Sequence, residues 1–296
     1  MKNYILGSGL IALLAKKILG DNWDIIPYNK SRYYSFKIPL ADNDIIWSDK
    51  IDMSMYGTPI LSKRAFSYCG ELIFGDLPWV KNQYVEKLFG EIDQLGTKLL
   101  PTVISRASIQ ANELYSNLLR EFLSTIKANE QYGHIKSIEN NKIITTNKIL
   151  PYDNIISTIP LNILFQILQI NSNLQSKAAY CYHIMTDQLD FEGAERVYVI
   201  DKEIEFYQAN QLDKYNYVLF AFNEIKNASK YFPAFMNNSC EIVNQTCIPE
   251  SIPIGNPNID FLKDLNIYCI GSNAQWDYWM DISSCINRIL KHTCIK

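Results

Sequence analysis

Residues 3–6, Asn-Tyr-Ile-Leu, form an apolar run that stops at Gly7-Ser8-Gly9. From Leu10 to Leu19 the period changes: apolar residues recur at helical spacing and Gly20 supplies a C-cap. Trp23 to Ile26 is a second apolar run. Strand, glycine turn, helix and strand in so short a span predict a βαβ unit with parallel strands. Beyond it, residues 31–75 show no clear period and are broken by Pro39, Gly57 and Pro59, with Arg64–Phe74 extended. The spacing predicts helices over 80–98 and 108–127. The second is amphipathic, with Ile109, Leu114, Leu118, Leu119, Phe122 and Ile126 near one face.

Alternation returns at Gly133–Ile138, turns at Glu139-Asn140-Asn141, and continues through 142–146 and 149–157. That pattern predicts a three-stranded meander, followed by a short helix over 161–170. Strands over 178–185, 196–200, 205–209 and 217–222 predict a separate antiparallel sheet. Residues 225–258 are Asn- and Pro-rich and read as irregular. A last buried strand at 265–270 leads through Gly271 to a helix over about 281–292.

Composition narrows this picture. A chain of 296 residues suggests about two domains. Its 28 basic and 31 acidic residues provide no broad positive field for nucleic acid. The seven cysteines are odd in number and lack C-x-x-C spacing, so neither a disulfide framework nor a metal site is expected. Unpaired thiols and the lack of a transmembrane run suit a cytoplasmic protein.

The turn Gly7-Ser8-Gly9-Leu10-Ile11-Ala12 fits G-x-G-x-x-[GA] in its required context, after a strand and at the start of a helix. One glycine permits the tight turn, the second admits a pyrophosphate against the backbone, and Ala12 lets helix and strand approach closely. The phosphates would sit on the helix N-terminus. The carboxylate that ordinarily ends the second strand and binds ribose is absent, since this strand runs on as Pro27-Tyr28-Asn29-Lys30. Asn29 is the nearest acceptor, and Lys30 and Arg32 either face a phosphate or lie on a solvated loop.

Two further segments carry a resemblance. Tyr152-Asp153-Asn154-Ile155-Ile156-Ser157-Thr158-Ile159-Pro160-Leu161 follows the meander. Tyr268-Cys269-Ile270-Gly271 continues through Trp276 and Tyr278 to Met280-Asp281 at a helix start. With the glycine turn, these segments resemble the FAD-dependent flavoproteins related to UDP-galactopyranose mutase, protoporphyrinogen oxidase and the amine oxidases. The resemblance covers about a third of the chain. Ser272 stands where the family usually has Arg, and the family's second glycine pair is missing.

The resemblance implies an α/β fold: a Rossmann-like FAD-binding domain with a parallel sheet and three-stranded β-meander, plus an inserted α+β substrate domain with an antiparallel sheet. The implied FAD domain is discontinuous, over 1–60, 100–160 and 260–296, with the substrate domain at 61–99 and 161–259. For this family 296 residues is short, which implies a trimmed substrate domain. FAD contacts are implied for Gly7, Ser8, Gly9, Ala12, Asn29, Arg32, Ile135, Thr158, Gly271, Trp276, Met280 and Asp281. Tyr207, Gln208 and His183 are the pocket candidates. The implied activity is oxidation of a small organic substrate, an amine or amino-acid-like group, by hydride transfer to the flavin. A non-redox flavoenzyme of the UDP-galactopyranose mutase type and a non-catalytic binding protein remain as alternatives.

Overall fold

The computed structural model describes residues 2–28, 45–46, 60–62, 64–75, 77–90, 106–109, 111–187, 189, 191–225, 240–255, 257–277, 280 and 282–292. In chain order the elements are β1 (Asn3–Leu6), α1 (Leu10–Leu19), β2 (Trp23–Ile26), β3 (Ile45–Ile46), β4 (Ile60–Ser62), β5 (Arg64–Tyr68), β6 (Glu71–Ile73), α2 (Pro78–Phe89), β7 (Arg106–Ile109) and α3 (Ala111–Asn129). There follow β8 (Ile135–Glu139), β9 (Lys142–Thr145), β10 (Ile149–Pro151), β11 (Asn154–Ser157), α4 (Leu161–Ile167), β12 (Gln175–Met185), β13 (Arg196–Val199), β14 (Phe206–Gln211) and β15 (Asn216–Ala221). The chain closes with β16 (Glu241–Ile254), β17 (Ile267–Cys269), a single turn α5 (Ser272–Gln275) and α6 (Ile282–Lys291).

The N-terminal βαβ unit forms as its pattern predicts and seeds a parallel sheet in the order β17-β11-β1-β2. Its strands are apolar on both faces because both are covered, as parallel sheets require. One face packs Ile5, Ile25, Ile156 and Ile270 against α1, α3 and α6. The other packs Tyr4, Leu6, Ile26, Ile155 and Ile267 against the meander β8-β9-β10 and α4. Asn129, at the end of α3, donates through Nδ2 to Ile25 O at 2.8 Å and pins that helix to β2.

A seven-stranded sheet, ordered β16-β12-β15-β14-β13-β5-β6, forms the second body of structure. It is antiparallel except where β13 runs parallel to β5. A three-stranded sheet, β3-β7-β4, joins segments that the sequence left unread.

Several expectations are corrected. Residues 149–157 are two strands: β10 closes the meander, Tyr152-Asp153 redirects the chain, and β11 enters the parallel sheet. Alternation reads one extended run there because it cannot register a change of sheet. Residues 241–254, expected to be irregular, form the longest strand described. Pro249 and Pro253 are compatible with it because β16 lies at a sheet edge, where a missing N–H costs no ladder bond. Residues 106–109 are a strand, and the helix expected from 108 begins at Ala111. The helix expected to run to 98 ends at Phe89, where Gly90 takes φ +88° and returns its N–H to Glu86 O. Lys16 of α1 is buried, and its ammonium caps Gly20 O at 3.2 Å.

Among the described residues no helix is long and apolar enough to cross a membrane. Cys69, Cys181, Cys240, Cys247 and Cys269 are unbridged. Burial pushes the Cys181 and Cys269 thiols up to about 12, as expected of inert core thiols.

Candidate cofactor cleft and substrate face

In the parallel sheet the chain moves outward from β1 in both directions, to β2 on one side and to β11 and β17 on the other. The carboxyl ends of β1 and β11 therefore flank a topological switch point, the place where open α/β sheets bind ligands. Gly7 and Thr158 meet there. Gly7 has φ +120°, and a Cβ on it would lie 2.3 Å from Thr158 Oγ1. Gly7 N–H donates to Ile26 O at 2.9 Å, closing the turn against the end of β2. Thr158 holds the other side, its N–H and its hydroxyl each donating to Leu6 O at 2.9 Å.

Gly9 differs from Gly7. Its backbone is ordinary extended chain, φ −73° and ψ 179°, at the N-cap of α1. It is exposed, and a Cβ there would meet nothing within 4 Å. No side chain caps α1, and its first turn carries no acidic residue. The first N–H groups of a helix have no partner within it, so this end is open to an anion. Ser8 is half-buried beside it. Ala12 is fully buried and lets α1 lie close to the sheet.

The C-terminal segment reaches the same edge. Ile270 N–H donates to Ser157 O at 2.9 Å. Gly271 has φ +121°, and a Cβ on it would lie 4.0 Å from Ile11 Cγ1 in the first turn of α1. Residues from opposite ends of the chain thus meet at one edge of the parallel sheet. Ser157 is fully buried, and its Oγ has no hydrogen-bond partner. The open helix end, the side-chain-free approach at Gly9 and this orphaned hydroxyl fit a phosphate-bearing cofactor.

The remaining expected contacts divide. Ile135 lies at the start of β8 with its side chain in the core below the parallel sheet. Trp276 is 2% exposed, and its Nε1 donates to Gln175 O at 3.1 Å and Ile254 O at 3.0 Å, the beginning of β12 and the end of β16. Its indole N–H is committed to the junction between the two large sheets. Met280 packs against the α1–α3–α6 core, and its N–H donates to Asp277 O at 3.2 Å. Asn29, Arg32 and Asp281 lie outside the described residues, as do Lys30 and Tyr278.

The large sheet supplies the other surface. α2 covers one face through Val80, Tyr84 and Leu88, which pack on Phe66, Tyr198, Tyr207 and Phe220. Ala65, Val197, Phe206 and Ala209 point to the opposite core. A register shift between Phe206 and Gln208 is a bulge, and it turns the consecutive residues Tyr207 and Gln208 to the α2 face. Tyr207 is packed there, stacked on Phe222 at 4.8 Å. Gln208 Nε2 donates to Asn210 Oδ1 at 3.0 Å, and both residues are buried. His183 sits eight residues along β12 from the Trp276 junction, about 26 Å at strand rise. Its Nε2 pairs with Asn216 Oδ1 at 3.0 Å, and Asn216 is in turn held by Asp213. That network ties a strand end to a turn, so His183 serves the sheet rather than the mouth of the cleft.

Arg64 and Asn210, both buried on the α2 face, were not anticipated. Arg64 is brought beside Arg196 by the pairing of β5 with β13, more than a hundred residues apart in sequence. No local pattern reports such a pairing.

No protein-family model matches the chain, and no curated protein matches its sequence. Solved structures do match its fold. Reduced UDP-galactopyranose mutase superposes with a TM-score of 0.67 at 12% identity, over 98% of this chain and 93% of that one. The conjugated-linoleic-acid-producing fatty acid isomerase from P. acnes gives 0.62 at 10% identity, over 98% and 97%. Cyclohexylamine oxidase from Brevibacterium oxydans IH-35A gives 0.59 at 9% identity, over 99% and 98%. The likeness to these proteins is one of fold. The fold combines a Rossmann-like unit bearing a meander with a second, largely antiparallel sheet, as the sequence resemblance implies.

Proposed function

We propose that this chain is an FAD-dependent oxidoreductase acting on a small organic substrate. The cofactor would be held at the carboxyl edge of the parallel sheet and the substrate on the α2 face of the large sheet. The observation that carries this reading is the glycine turn: strained Gly7 locked under Thr158, and unstrained, uncontacted Gly9 at an open helix N-terminus. Only Gly7 is needed for the fold, so a ligand is the physical reason for a bare backbone at Gly9.

In this arrangement the N–H groups of the first turn of α1 hold the pyrophosphate. Gly271 brings the C-terminal segment to the same edge. FAD, when bound, would accept an electron pair from the substrate. The protein supplies position, field and exclusion of water, so no nucleophile–base triad is required. Tyr207, Phe220 and Phe222 form an apolar wall, and Gln208 and Asn210 supply oriented amides beside it. Cyclohexylamine oxidase is among the solved structures of similar fold, which makes an amine or amino-acid-like substrate the first to test. The domain division follows: 1–60, 100–160 and 260–296 for the cofactor, 61–99 and 161–259 for the substrate. The strands of the parallel and seven-stranded sheets fall on the two sides of that division.

The test is Gly9→Val. Among the described residues a Cβ at this position meets nothing within 4 Å, and its backbone angles suit any residue, so the variant is expected to fold with an unchanged melting temperature. It should lose the flavin absorbance of the wild-type protein. A folded variant that stays yellow would place the cofactor elsewhere.

A further inference from the structure

The seven-stranded sheet has two edges of unlike character. β6 is three residues long and turns straight back on β5, so it offers little backbone to another chain. β16 is fourteen residues long and pairs on one side with β12; among the described residues no strand pairs with its other side. Unpaired N–H and C=O groups along a long edge are a template for a further strand, and proteins guard such edges with Pro, Lys or bulges. Pro249 and Pro253 guard the C-terminal half of β16. Register shifts against β12 bend the strand on either side of residues 244–248. Those residues, Asn-Gln-Thr-Cys-Ile, pair with β12 without a shift and contain no proline and no charge. Gln245, Thr246 and Cys247 are exposed.

An apolar patch lies at the N-terminal end of this edge. Met185 closes β12 opposite Glu241, and Thr186 N–H donates to Tyr215 O at 2.9 Å. Met185, Tyr215, Ile242 and Val243 are 43%, 45%, 40% and 49% exposed there. Exposed apolar side chains gathered in one place mark an interaction surface. Lipid can cover such side chains but cannot pair with the backbone of an open edge, whereas a strand does both. The sequence of β16 admits its own copy as that strand. Placed antiparallel about a two-fold axis at Thr246, two copies set Thr246 against Thr246, Gln245 against Cys247 and Asn244 against Ile248. Threonines opposite one another are a favourable cross-strand pair. Glu241 then falls opposite Ser251, so no like charges stand directly opposed.

We infer that residues 244–248 of β16, with the apolar patch beside them, are the interface for a second copy of this chain. The two seven-stranded sheets join edge to edge into one continuous sheet. The contact uses the same residues on both subunits, so it closes at two copies. It is independent of the cofactor and of the substrate.

The experiment measures the mass of the purified full chain by light scattering over a concentration series. A dimer is expected, reached and not exceeded as concentration rises. Thr246→Lys sets two ammonium groups opposite each other at the axis. It should weaken the dimer at least tenfold, with an unchanged circular dichroism spectrum. Thiol cross-linking by a short bismaleimide gives a second readout, which carries the test where that variant fails to fold. Cys247 lies one residue from the axis, so the reagent should link two copies. Cys69, also exposed, lies in the turn between β5 and β6 at the opposite edge, six strand spacings or about 29 Å away. Cys247→Ser should lose the cross-link and stay dimeric, and Cys69→Ser should keep both. A monomer at every concentration, a dimer that Thr246→Lys leaves intact, or a cross-link that survives Cys247→Ser overturns the interface. A mass that keeps growing with concentration also overturns it, because the contact proposed is a closed one.

Discussion

Two glycines of one motif do different work. Gly7 has φ +120° and no room for a Cβ under Thr158 Oγ1, whereas Gly9 has ordinary backbone angles and open space. Gly7→Ala is therefore expected to destabilise the fold by about 2 kcal/mol or more, from backbone strain together with displacement of the Thr158 strap. A shift of the urea midpoint would register it. The loss expected of Gly9→Val is of ligand and not of stability, so the pair of variants separates the two roles. The pattern G-x-G announces both residues and cannot say which is which, because the difference lies in a threonine from the middle of the chain.

At the scale of elements, Lys87 fastens α2 to the β13–β14 connection. Lys87 Nζ donates to Asp201 O at 2.6 Å, Ile204 O at 2.8 Å and Phe206 O at 2.5 Å. Burial pushes its ammonium down to about 7, with Asp201 acting in the opposite direction. The folded chain then releases this proton near pH 7, while the unfolded chain keeps it until about 10.5. Over that interval the unfolded state binds more protons. Lys87 therefore contributes a rise of stability with pH, at most about 1.4 kcal/mol per pH unit. Lys87→Met should be less stable overall, because three carbonyls lose their donor, and should lack that rise. Urea unfolding at a series of pH values from 6 to 10 in both proteins checks both expectations. A wild-type profile parallel to that of the variant would show that the three carbonyls hold the ammonium charged.

At the scale of the whole molecule, the parallel sheet is assembled from both ends of the chain and its middle, and the large sheet is inserted between them. Trp276 joins the two: its indole N–H bridges the carbonyls of Gln175 and Ile254, where the chain leaves for the large sheet and returns from it. Trp276→Phe keeps the ring in the core and removes the donor to these two part-buried carbonyls. The expected cost is about 0.5–1.5 kcal/mol. It should appear in calorimetry as a lowered melting temperature, with partial separation of the two bodies into distinct transitions. A single transition at the wild-type temperature would mean that other contacts carry the junction.

Local pattern was enough for the βαβ unit, the meander, the amphipathic α3 and the glycine turn, because each is built from contacts between near neighbours in sequence. The same holds for Thr158 and Gly271 as members of the cleft, which the resemblance of their flanking strands supplies. Tertiary structure decided the rest. It split 149–157 between two sheets, made a strand of the Asn- and Pro-rich 241–254 by giving it an edge, and turned Tyr207 and Gln208 to one face through a bulge. It bound the indole N–H of Trp276 into a junction, and it set Arg64 against Arg196. Periodicity reports which side of a strand a residue faces. Which strand lies alongside is set by burial and hydrogen bonding between distant segments.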